Sequence, residues 1–420
     1  MNKHFYLSRI GTLTRSHLAI AGLALALGAL VSCNDNSTPN LPPIIPVPNS
    51  IVVKDVGNGA MDLLVATTAY EGLVQNPGYA DVILNTPGKL GTFQTGVHYS
   101  TTGTNPSSIA VADLTGSGGL DLVIANFGSG SVSVFMHGAT SGTFDAAVDW
   151  PTGGQPNQVI IADLNGDGRP DLVLADMSAS GNVIVLMGDG TGKFGNQTNL
   201  PTGLTTTSVA AADLTAAGGT GRPAIVAATF DSAGNNGAVQ IFWPDPNGGF
   251  RPRVTCPAGA QPQSVKIADV NGDGLPDIIV ANLGPGADGN GSAGVSVLLQ
   301  DATQPCGFKA PVTYPTPGQS IDVAVADLNL DGKPDLVVAN LLPVGTGSVS
   351  VLMQDPANPG VFLTATRKDY AALGQPLSVA IADLNGDGHP DIALADGPSA
   401  GVLFQDGASG TFSPVMQVGF

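Results

Sequence analysis

A nine-residue segment at 163–171, with the sequence Asp-Leu-Asn-Gly-Asp-Gly-Arg-Pro-Asp, constrains the fold of this chain most strongly because it recurs. It returns with small changes at 269–277, 327–335 and 383–391. In each copy the first, third, fifth and ninth residues are Asp, Asn, Asp and Asp, and a glycine at the sixth position allows a sharp turn. Four loops of one design predict four sites of one chemistry.

The first aspartate of the segment divides the chain into seven units. The aligned residues are Asp55, Asp113, Asp163, Asp213, Asp269, Asp327 and Asp383, which are separated by 58, 50, 50, 56, 58 and 56 residues. One phenylalanine per unit gives a second landmark: Phe93, Phe144, Phe194, Phe250, Phe308, Phe362 and Phe412. We expect each of these rings to fill the same space between neighbouring units.

Each unit shows four strand signals. In the sixth unit they cover 322–326, 335–339, 348–353 and the residues from Phe362 onwards. The first strand is rich in Ala and Val, which suits strands crowded around an axis, and the second is almost continuously apolar, as in a strand buried on both faces. The 57 Gly and 32 Pro fit short strands and tight turns.

These features predict an all-β chain in which residues 51–420 form a seven-bladed β-propeller of four-stranded antiparallel blades. A parallel β-helix is the alternative, but its rungs are shorter and lack a hairpin turn in each unit. The units resemble FG-GAP or VCBS repeats, which form the propeller of integrin α-subunits and of many bacterial surface proteins. The segment Gly-Thr-Gly-Lys-Phe-Gly at 190–195 resembles the signature of that family.

The loops have the composition of calcium sites, since a hard cation takes about six to eight oxygen ligands and alternate loop residues can supply them. The predicted side-chain ligands are Asp163, Asn165, Asp167 and Asp171; Asp269, Asn271, Asp273 and Asp277; Asp327, Asn329, Asp331 and Asp335; and Asp383, Asn385, Asp387 and Asp391. The backbone carbonyls at the seventh position complete the sets: Arg169, Leu275, Lys333 and His389. We predict about four structural Ca²⁺ ions.

The other three units depart from the pattern. In the second unit Thr115 and Ser117 replace two ligands between Asp113 and Asp121, so that site would be weak at best. The fourth unit ends its longer loop in Ala224 and is expected to bind no ion, and the first loop, 55–62, is one residue short. Metal-free Asx turns are the alternative for all loops. Against it, one pair of carboxylates at about 5 Å repels by about 3 kcal/mol at an effective dielectric constant of about 20.

The N-terminus has the order of a secretory signal: basic residues, an apolar run at 18–31, then small residues. Leu-Val-Ser-Cys at 30–33 resembles the lipobox of bacterial lipoproteins, which implies cleavage before Cys33 and lipid on its thiol. A transmembrane helix is the alternative, but the run is shorter than the roughly 20 residues a span needs. Residues 34–50, rich in Asn and Pro, read as a linker. We therefore expect an extracytoplasmic protein, lipid-anchored to the bacterial envelope.

The net charge of −18 argues against nucleic acid as a partner, and membrane contact is expected through the lipid alone. No catalytic constellation is apparent in the sequence. His98, His137 and His389 fall in different units, and the Gly-x-Ser-x-Gly pattern at 397–401 lies in a hairpin rather than in a strand-to-helix turn.

Cys256 and Cys306 fall at opposite ends of strands in the repeat frame, roughly 20 Å apart by strand rise, so we expect buried thiols rather than a disulfide.

The length of the units varies mostly in the loop after the second strand, at 67–80, 229–238, 282–294 and 341–347. Strand alternation places these loops on the face opposite the calcium loops, where integrin propellers, to which the repeats are similar, bind partners. Neutral drift in exposed turns is the plainer explanation. The sequence thus favours a protein- or glycan-binding scaffold. A polysaccharide lyase or hydrolase, or an accessory subunit of a surface complex, remains open.

Overall fold

The strands of this chain form seven four-stranded sheets. A computed structural model describes residues 45–71, 74–215, 221–231, 237–284, 293–304, 306–407 and 410–419. The predicted signal, the lipobox with Cys33 and most of the predicted linker lie outside the described residues. Among those that are described, no helix is long and apolar enough to cross a membrane.

The strands follow one another along the chain, four to a blade. Blade 1 has β1 (Ile45–Lys54), β2 (Asp62–Glu71), β3 (Val74–Ile83) and β4 (Val97–Thr104). Blade 2 has β5 (Pro106–Ala112), β6 (Asp121–Asn126), β7 (Ser131–Phe135) and β8 (Val148–Pro151). Blade 3 has β9 (Pro156–Ala162), β10 (Asp171–Asp176), β11 (Asn182–Gly188) and β12 (Phe194–Pro201). Blade 4 has β13 (Thr205–Ala212), β14 (Ala224–Phe230), β15 (Ala238–Phe242) and β16 (Val254–Pro257).

Blade 5 has β17 (Pro262–Ala268), β18 (Asp277–Asn282), β19 (Gly294–Leu298) and β20 (Val312–Pro315). Blade 6 has β21 (Gln319–Ala326), β22 (Asp335–Leu341), β23 (Ser348–Leu352) and β24 (Lys368–Ala371). Blade 7 has β25 (Pro376–Ala382), β26 (Asp391–Asp396), β27 (Ser399–Leu403) and β28 (Met416–Val418). All pairs within a blade are antiparallel neighbours, and β1 packs against β25 to close the ring. The predicted all-β seven-bladed propeller is confirmed.

The second strand of each blade lies in the core, as its continuous apolar sequence predicts. Every residue of β6, β10, β18 and β26 is buried. The innermost strands carry small residues and a bulge near their start, for example between Pro106 and Ser108. At the bulge a polar side chain accepts a hydrogen bond from the next blade: Ser208 Oγ from the Val265 amide at 3.0 Å, and Ser378 Oγ from the Ile51 amide at 3.4 Å.

The repeated phenylalanine fills the space between blades, as expected. Phe362 of blade 6 packs edge-on against Tyr314 of blade 5 at a centroid distance of 5.4 Å, and Phe412 packs against Tyr370 in the same way at 5.6 Å. Phe93 packs in the cluster that joins blades 1 and 7. Each ring therefore joins the hairpin of its own blade to the outer strand of the blade before it.

Cys256 and Cys306 form a disulfide with Cα atoms 5.8 Å apart, so the expectation of buried thiols was wrong. Cys256 lies on β16 of blade 4 at the position that Tyr314 holds in blade 5, and Cys306 lies two residues before Phe308. Positions that are far apart within one blade become neighbours here, since the hairpin of one blade folds over the outer strand of the preceding blade.

Three element boundaries differ from the prediction. The fourth strand of blade 6 begins at Lys368, because Phe362 forms only an isolated bridge with Gln354. Strand β1 begins at Ile45, inside the predicted linker, because it pairs with a lengthened β2. Within the segment 67–80, predicted as a loop, residues 67–71 and 74–80 belong to strands β2 and β3. Parts of the variable loops of blades 4 and 5 lie outside the described residues.

Candidate metal centre

The four loops at 163–171, 269–277, 327–335 and 383–391, here called the intact loops, occupy equivalent places. Each joins the first strand of a blade to the second, as the loop between β9 and β10 does. Because the strands alternate in direction, the four loops share one face of the ring and the loops after the second strands share the other. The structure thus places the predicted ligands in four separate, equivalent hairpins.

The oxygens of the first loop accept hydrogen bonds from the loop itself. Asp163 Oδ1 accepts from the Gly166 amide at 2.8 Å, and its Oδ2 accepts from the Gly168 amide at 2.8 Å. The Asn165 Oδ1 accepts from the Asp167 amide at 2.8 Å, and Asp167 Oδ1 accepts from the Arg169 amide at 2.9 Å. Gly166 and Gly168 have φ of +78° and +79°, which favours glycine at both positions.

The same bonds recur in the other intact loops. The first aspartate accepts from the sixth-position amide, at 2.8 Å for Asp269, 2.8 Å for Asp327 and 2.9 Å for Asp383. The aspartate at the fifth position accepts a hydrogen bond from the seventh-position amide, at 2.8 Å for Asp273, 2.9 Å for Asp331 and 2.8 Å for Asp387. The four loops therefore have one backbone conformation, as their shared sequence requires.

The ninth-position aspartate is buried and fixes the loop to the blade. Asp171 is fully buried; its Oδ2 accepts from the Leu164 amide at 3.0 Å and its Oδ1 from the Gly188 amide at 2.8 Å. In blade 5, Asp277 accepts from the Val270 and Gln300 amides at 3.0 and 2.8 Å. A carboxylate oxygen has two lone pairs, so each oxygen retains one for a cation.

Burial disfavours the charged form of these aspartates. Burial raises the pKa of Asp277, Asp335 and Asp391 to about 6 in each case, against the opposing effect of the amide hydrogen bonds. The nearby carboxylates of Asp273 and Asp269 raise the pKa of Asp277 further. Burial also raises the pKa of Asp171. A divalent cation in the loop would favour the charged form of all these groups.

The donor set fits a hard cation, although the carboxylates are directed at amides. Within the described ranges, no three His, Cys, Asp or Glu side chains converge closely enough to hold a metal ion. Three carboxylates and one amide oxygen nevertheless lie within each nine-residue loop. In blade 5 the negative charges of Asp269 and Asp273 raise the pKa of Asp277. Ion binding would exchange amide contacts of the first and fifth side chains for contacts with the ion.

The loops at 55–62, 113–121 and 213–224, here called the eroded loops, replace ligands with hydrogen-bond donors. In blade 1 the Asn58 side-chain amide donates to Asp62 at 2.8 Å. In blade 4 the Thr215 hydroxyl and amide hold the pKa of Asp213 below its usual range. In blade 2 desolvation of Asp113 is outweighed by the amides of Gly118 and Thr115, so its pKa is also lowered. Hydrogen bonds thus favour the charged form of the first aspartate in blades 2 and 4, whereas burial raises the pKa of Asp62 in blade 1.

Each intact loop is tied to the following blade by a hydrogen bond that the sequence analysis missed. The carbonyl at its second position accepts from a side chain of the next blade. The bonds are Arg222 Nε to Leu164 O at 3.2 Å, Gln354 Nε2 to Val270 O at 2.7 Å, Gln405 Nε2 to Leu328 O at 2.7 Å, and Asn85 Nδ2 to Leu384 O at 2.7 Å. For three of these donors the signal was a Gln or Asn seven or eight residues before the repeated phenylalanine, as at Gln354 and Phe362. Arg222 does not follow that spacing.

The remaining candidates from the sequence have structural roles. His98 Nδ1 lies 2.6 Å from Asp81, and the hydrogen bond to that buried carboxylate raises the pKa of His98. His137 Nδ1 lies 2.9 Å from Asp121. Ser399 is buried in the first position of β27, so the Gly-x-Ser-x-Gly pattern is part of a hairpin, as the sequence indicated.

Comparisons with known proteins agree with this architecture. The FG-GAP-like repeat family matches residues 113–174, 163–216 and 219–280, and the FG-GAP repeat family matches 321–352. These segments fall in blades 2 to 6. No curated protein sequence matches the chain.

Solved structures share the fold at low sequence identity. A candidate 6-phosphogluconolactonase from Bacteroides fragilis is 15% identical with a TM-score of 0.54, covering 92% of this chain and 98% of the other. The periplasmic gluconolactonase of Pseudomonas aeruginosa is 17% identical with a TM-score of 0.54, covering 80% and 88%. A Lactobacillus plantarum protein is 12% identical with a TM-score of 0.52, covering 89% and 96%. These likenesses establish the fold alone. The seven four-stranded blades make the chain a β-propeller, and the matched segments show that it contains FG-GAP repeats.

Proposed function

We propose that this propeller is stabilised by calcium, is held outside the cytoplasm by lipid on Cys33, and serves as a binding or scaffold module for a protein or glycan. The observation that carries the proposal is the set of four intact loops on one face, each with three carboxylates and each tied to the next blade. An ion in such a loop would fix the hairpin and, through the second-position carbonyl, the interface with its neighbour.

The placement of the loops supports different roles for the two faces of the ring, with ion binding on one and partner recognition on the other. The intact loops share a conformation and vary little in length, whereas the loops after the second strands differ from blade to blade. In blade 1 that connection extends into the long β2–β3 hairpin. A rigid ring that presents variable loops is a scaffold on which recognition commonly evolves.

Calcium removal tests the stabilising role directly. We expect chelation with EGTA to lower the melting temperature and the resistance to protease, and added Ca²⁺ to restore both. A site occupied at about 100 times its Kd contributes about 2.7 kcal/mol, so four sites have a large combined effect. Calorimetry with and without EGTA measures the change.

Matched variants separate the intact loops from the eroded ones. Asp163→Asn is expected to reduce the calcium-dependent part of the stability, whereas Asp213→Asn, in a loop that ends in Ala224, leaves that part unchanged. Equal melting temperatures with EGTA and with Ca²⁺ would rule out the stabilising role. A screen of glycans and envelope extracts, each with and without Ca²⁺, addresses the partner.

Hydrolysis is the second candidate function, because two similar structures bear gluconolactonase names. A cavity on the propeller axis has Lys266 and Asp322 as its charged lining residues. Incubating the protein with δ-gluconolactone, with Lys266→Ala as control, tests this candidate. Turnover that requires Lys266 would favour an enzyme over a scaffold, and turnover no faster than in buffer would remove the candidate.

A further inference from the structure

The axis of the propeller contains a cavity of about 540 Å³, within the usual size range of small-molecule sites. Its walls are the innermost strands, including residues of β5, β9 and β17. Phe127 and Met177, which follow the second strands of their blades, also line it. The cavity therefore reaches the face opposite the intact loops.

Two neighbouring blades depart from the repeat inside this cavity. Six innermost strands carry an apolar residue two positions after the bulge residue, and blade 5 carries Lys266; the six are Val52, Ala110, Ile160, Ala210, Ala324 and Ala380. At the bulge position itself, six blades have a neutral polar residue and blade 6 has Asp322. Lys266 Nζ lies 3.5 Å from Asp322 Oδ1.

Asp322 does not depend on Lys266 for its hydrogen bonds. Its Oδ1 accepts from Ser264 Oγ at 2.7 Å and from its neighbour's amide, Val323 N, at 2.9 Å. Its Oδ2 accepts from Ser378 Oγ and the Val379 amide, both at 3.1 Å. Four donors from three blades thus stabilise the carboxylate. The Lys266 side chain remains 36% exposed, and its ammonium has three donors.

Asparagine side chains lie among the innermost residues that line the cavity. Asn49 Nδ2 donates to Pro106 O at 2.6 Å, and Asn157 Nδ2 donates to Thr207 O at 2.7 Å. These bonds fix the two amide groups and leave their Oδ1 atoms to accept hydrogen bonds from a ligand. The cavity therefore combines one ammonium group beside a hydrogen-bonded carboxylate, fixed amide acceptors and an apolar wall.

We propose that this cavity binds a small hydroxylated carboxylate of the size of a sugar acid. The ligand's carboxylate pairs with Lys266, and its hydroxyl groups donate to Asn49 and Asn157. Charge-assisted hydrogen bonds of this kind are the strong ones in polar sites. The inference goes beyond the proposed scaffold function and does not depend on calcium.

Titration calorimetry with glucuronate tests the proposal. We expect binding to the unmodified protein, and affinity reduced by about tenfold or more in Lys266→Ala, because a hydrogen bond between charged groups is lost. Alanine stands at this position in four other blades, so the variant restores the repeat. Lys266→Arg keeps the charge and is expected to retain binding.

Two ligand controls define the chemistry. Glucose lacks the carboxylate and hexanoate lacks the hydroxyl groups, so both are expected to bind more weakly than glucuronate. The double variant Lys266→Ala/Asp322→Ser provides a charge-free cavity that keeps the repeat sequence. Absence of glucuronate binding, unchanged affinity in Lys266→Ala, or glucose binding as tightly as glucuronate would each overturn the proposal. Its failure would leave the response to EGTA, and so the calcium proposal, unaffected.

Discussion

The ninth-position aspartates show how one residue links a loop to its blade. Asp335, like Asp171, is buried and accepts two amides, from Leu328 at 3.0 Å and from Gln354 at 2.8 Å. Burial outweighs those two bonds, since the pKa of Asp335 rises to about 6. Ionising this residue therefore costs more free energy in the folded protein than in the unfolded chain, and a bound cation would offset that cost.

The pH dependence of stability should reverse with calcium. In the metal-free protein, Asp277, Asp335 and Asp391 have pKa values of about 6, above the reference 3.8, so the folded state binds more protons between these values. The stability from protonation is complete below about pH 3.8 and is lost as the pH rises through 6. We therefore expect urea unfolding in EGTA to show stability rising as the pH falls from about 6.5 to 4.5.

With saturating Ca²⁺ the expected slope has the opposite sign, because the ion requires the deprotonated carboxylates. The pKa of His98 is raised above its reference value of 6.5, so its contribution to the pH dependence of stability falls mostly above pH 6.5. The variant His98→Asn provides a control for that contribution. Parallel pH profiles in EGTA and in Ca²⁺ would contradict this prediction.

The oxygen-bearing side chains of the intact loops and their shared turn were readable from the sequence, because their spacing is local. The burial of the ninth aspartate was also implied by its place at the start of an apolar strand. Its two hydrogen bonds from backbone amides were not implied by the sequence. The second donor lies in a later hairpin, as with Gln354, which is 19 residues after Asp335.

At the scale of elements, the hairpin that carries the repeated phenylalanine is the contact between blades. In blades 5 and 6 an outer-strand tyrosine meets the ring of the next blade, with the planes at 83° and 84°. Blade 4 has Cys256 at that position, and the disulfide to Cys306 joins the same two elements. One interface is thus covalent where others are aromatic.

Reduction of the disulfide should destabilise the protein without changing its fold. The linked residues are 50 apart, for which the chain-entropy relation gives about 4 kcal/mol. We expect guanidinium unfolding of Cys256→Ser/Cys306→Ser to shift to lower denaturant, with the far-UV circular dichroism unchanged. A reductant should shift the unmodified protein similarly and leave the variant as it was. Two titratable thiols in the unreduced, denatured protein would show that the pair is not oxidised.

At the scale of the whole molecule, the interface between blades 1 and 7 differs from the others, because these two blades are not consecutive in the chain. Each blade consists of four consecutive strands, so the ring closes through side-chain packing and hydrogen bonds between these two blades and not through a shared sheet. The contacts include Asn85 Nδ2 to Leu384 O at 2.7 Å, from blade 1 to the intact loop of blade 7. Val418 and Ile51 lie in the same buried cluster at this junction.

Asn85→Ala should therefore weaken ring closure more than an equivalent change elsewhere. The matched variant is Gln354→Ala, because Gln354 also donates two hydrogen bonds, to Val270 O at 2.7 Å and Pro334 O at 2.8 Å. We expect faster amide hydrogen exchange in β1 and β28 for Asn85→Ala, since no chain connection holds that junction, and a smaller, local effect for Gln354→Ala. Equal exchange in the two variants would show that the junction is no weaker than the other interfaces.

The sequence by itself determined the repeat number, the strand order, the buried second strands and the shared conformation of the intact loops, because each depends on residues within one unit. The regular spacing of the motif aspartates and the repeated phenylalanines was sufficient to predict the number and order of the units. The tertiary structure decided which residues of different blades meet: Cys256 with Cys306, Gln405 with the loop of blade 6, and Lys266 with Asp322 on the axis. Those pairings follow from how each hairpin folds over its neighbour and from the closure of the ring, and neither is encoded in the periodicity of a single unit.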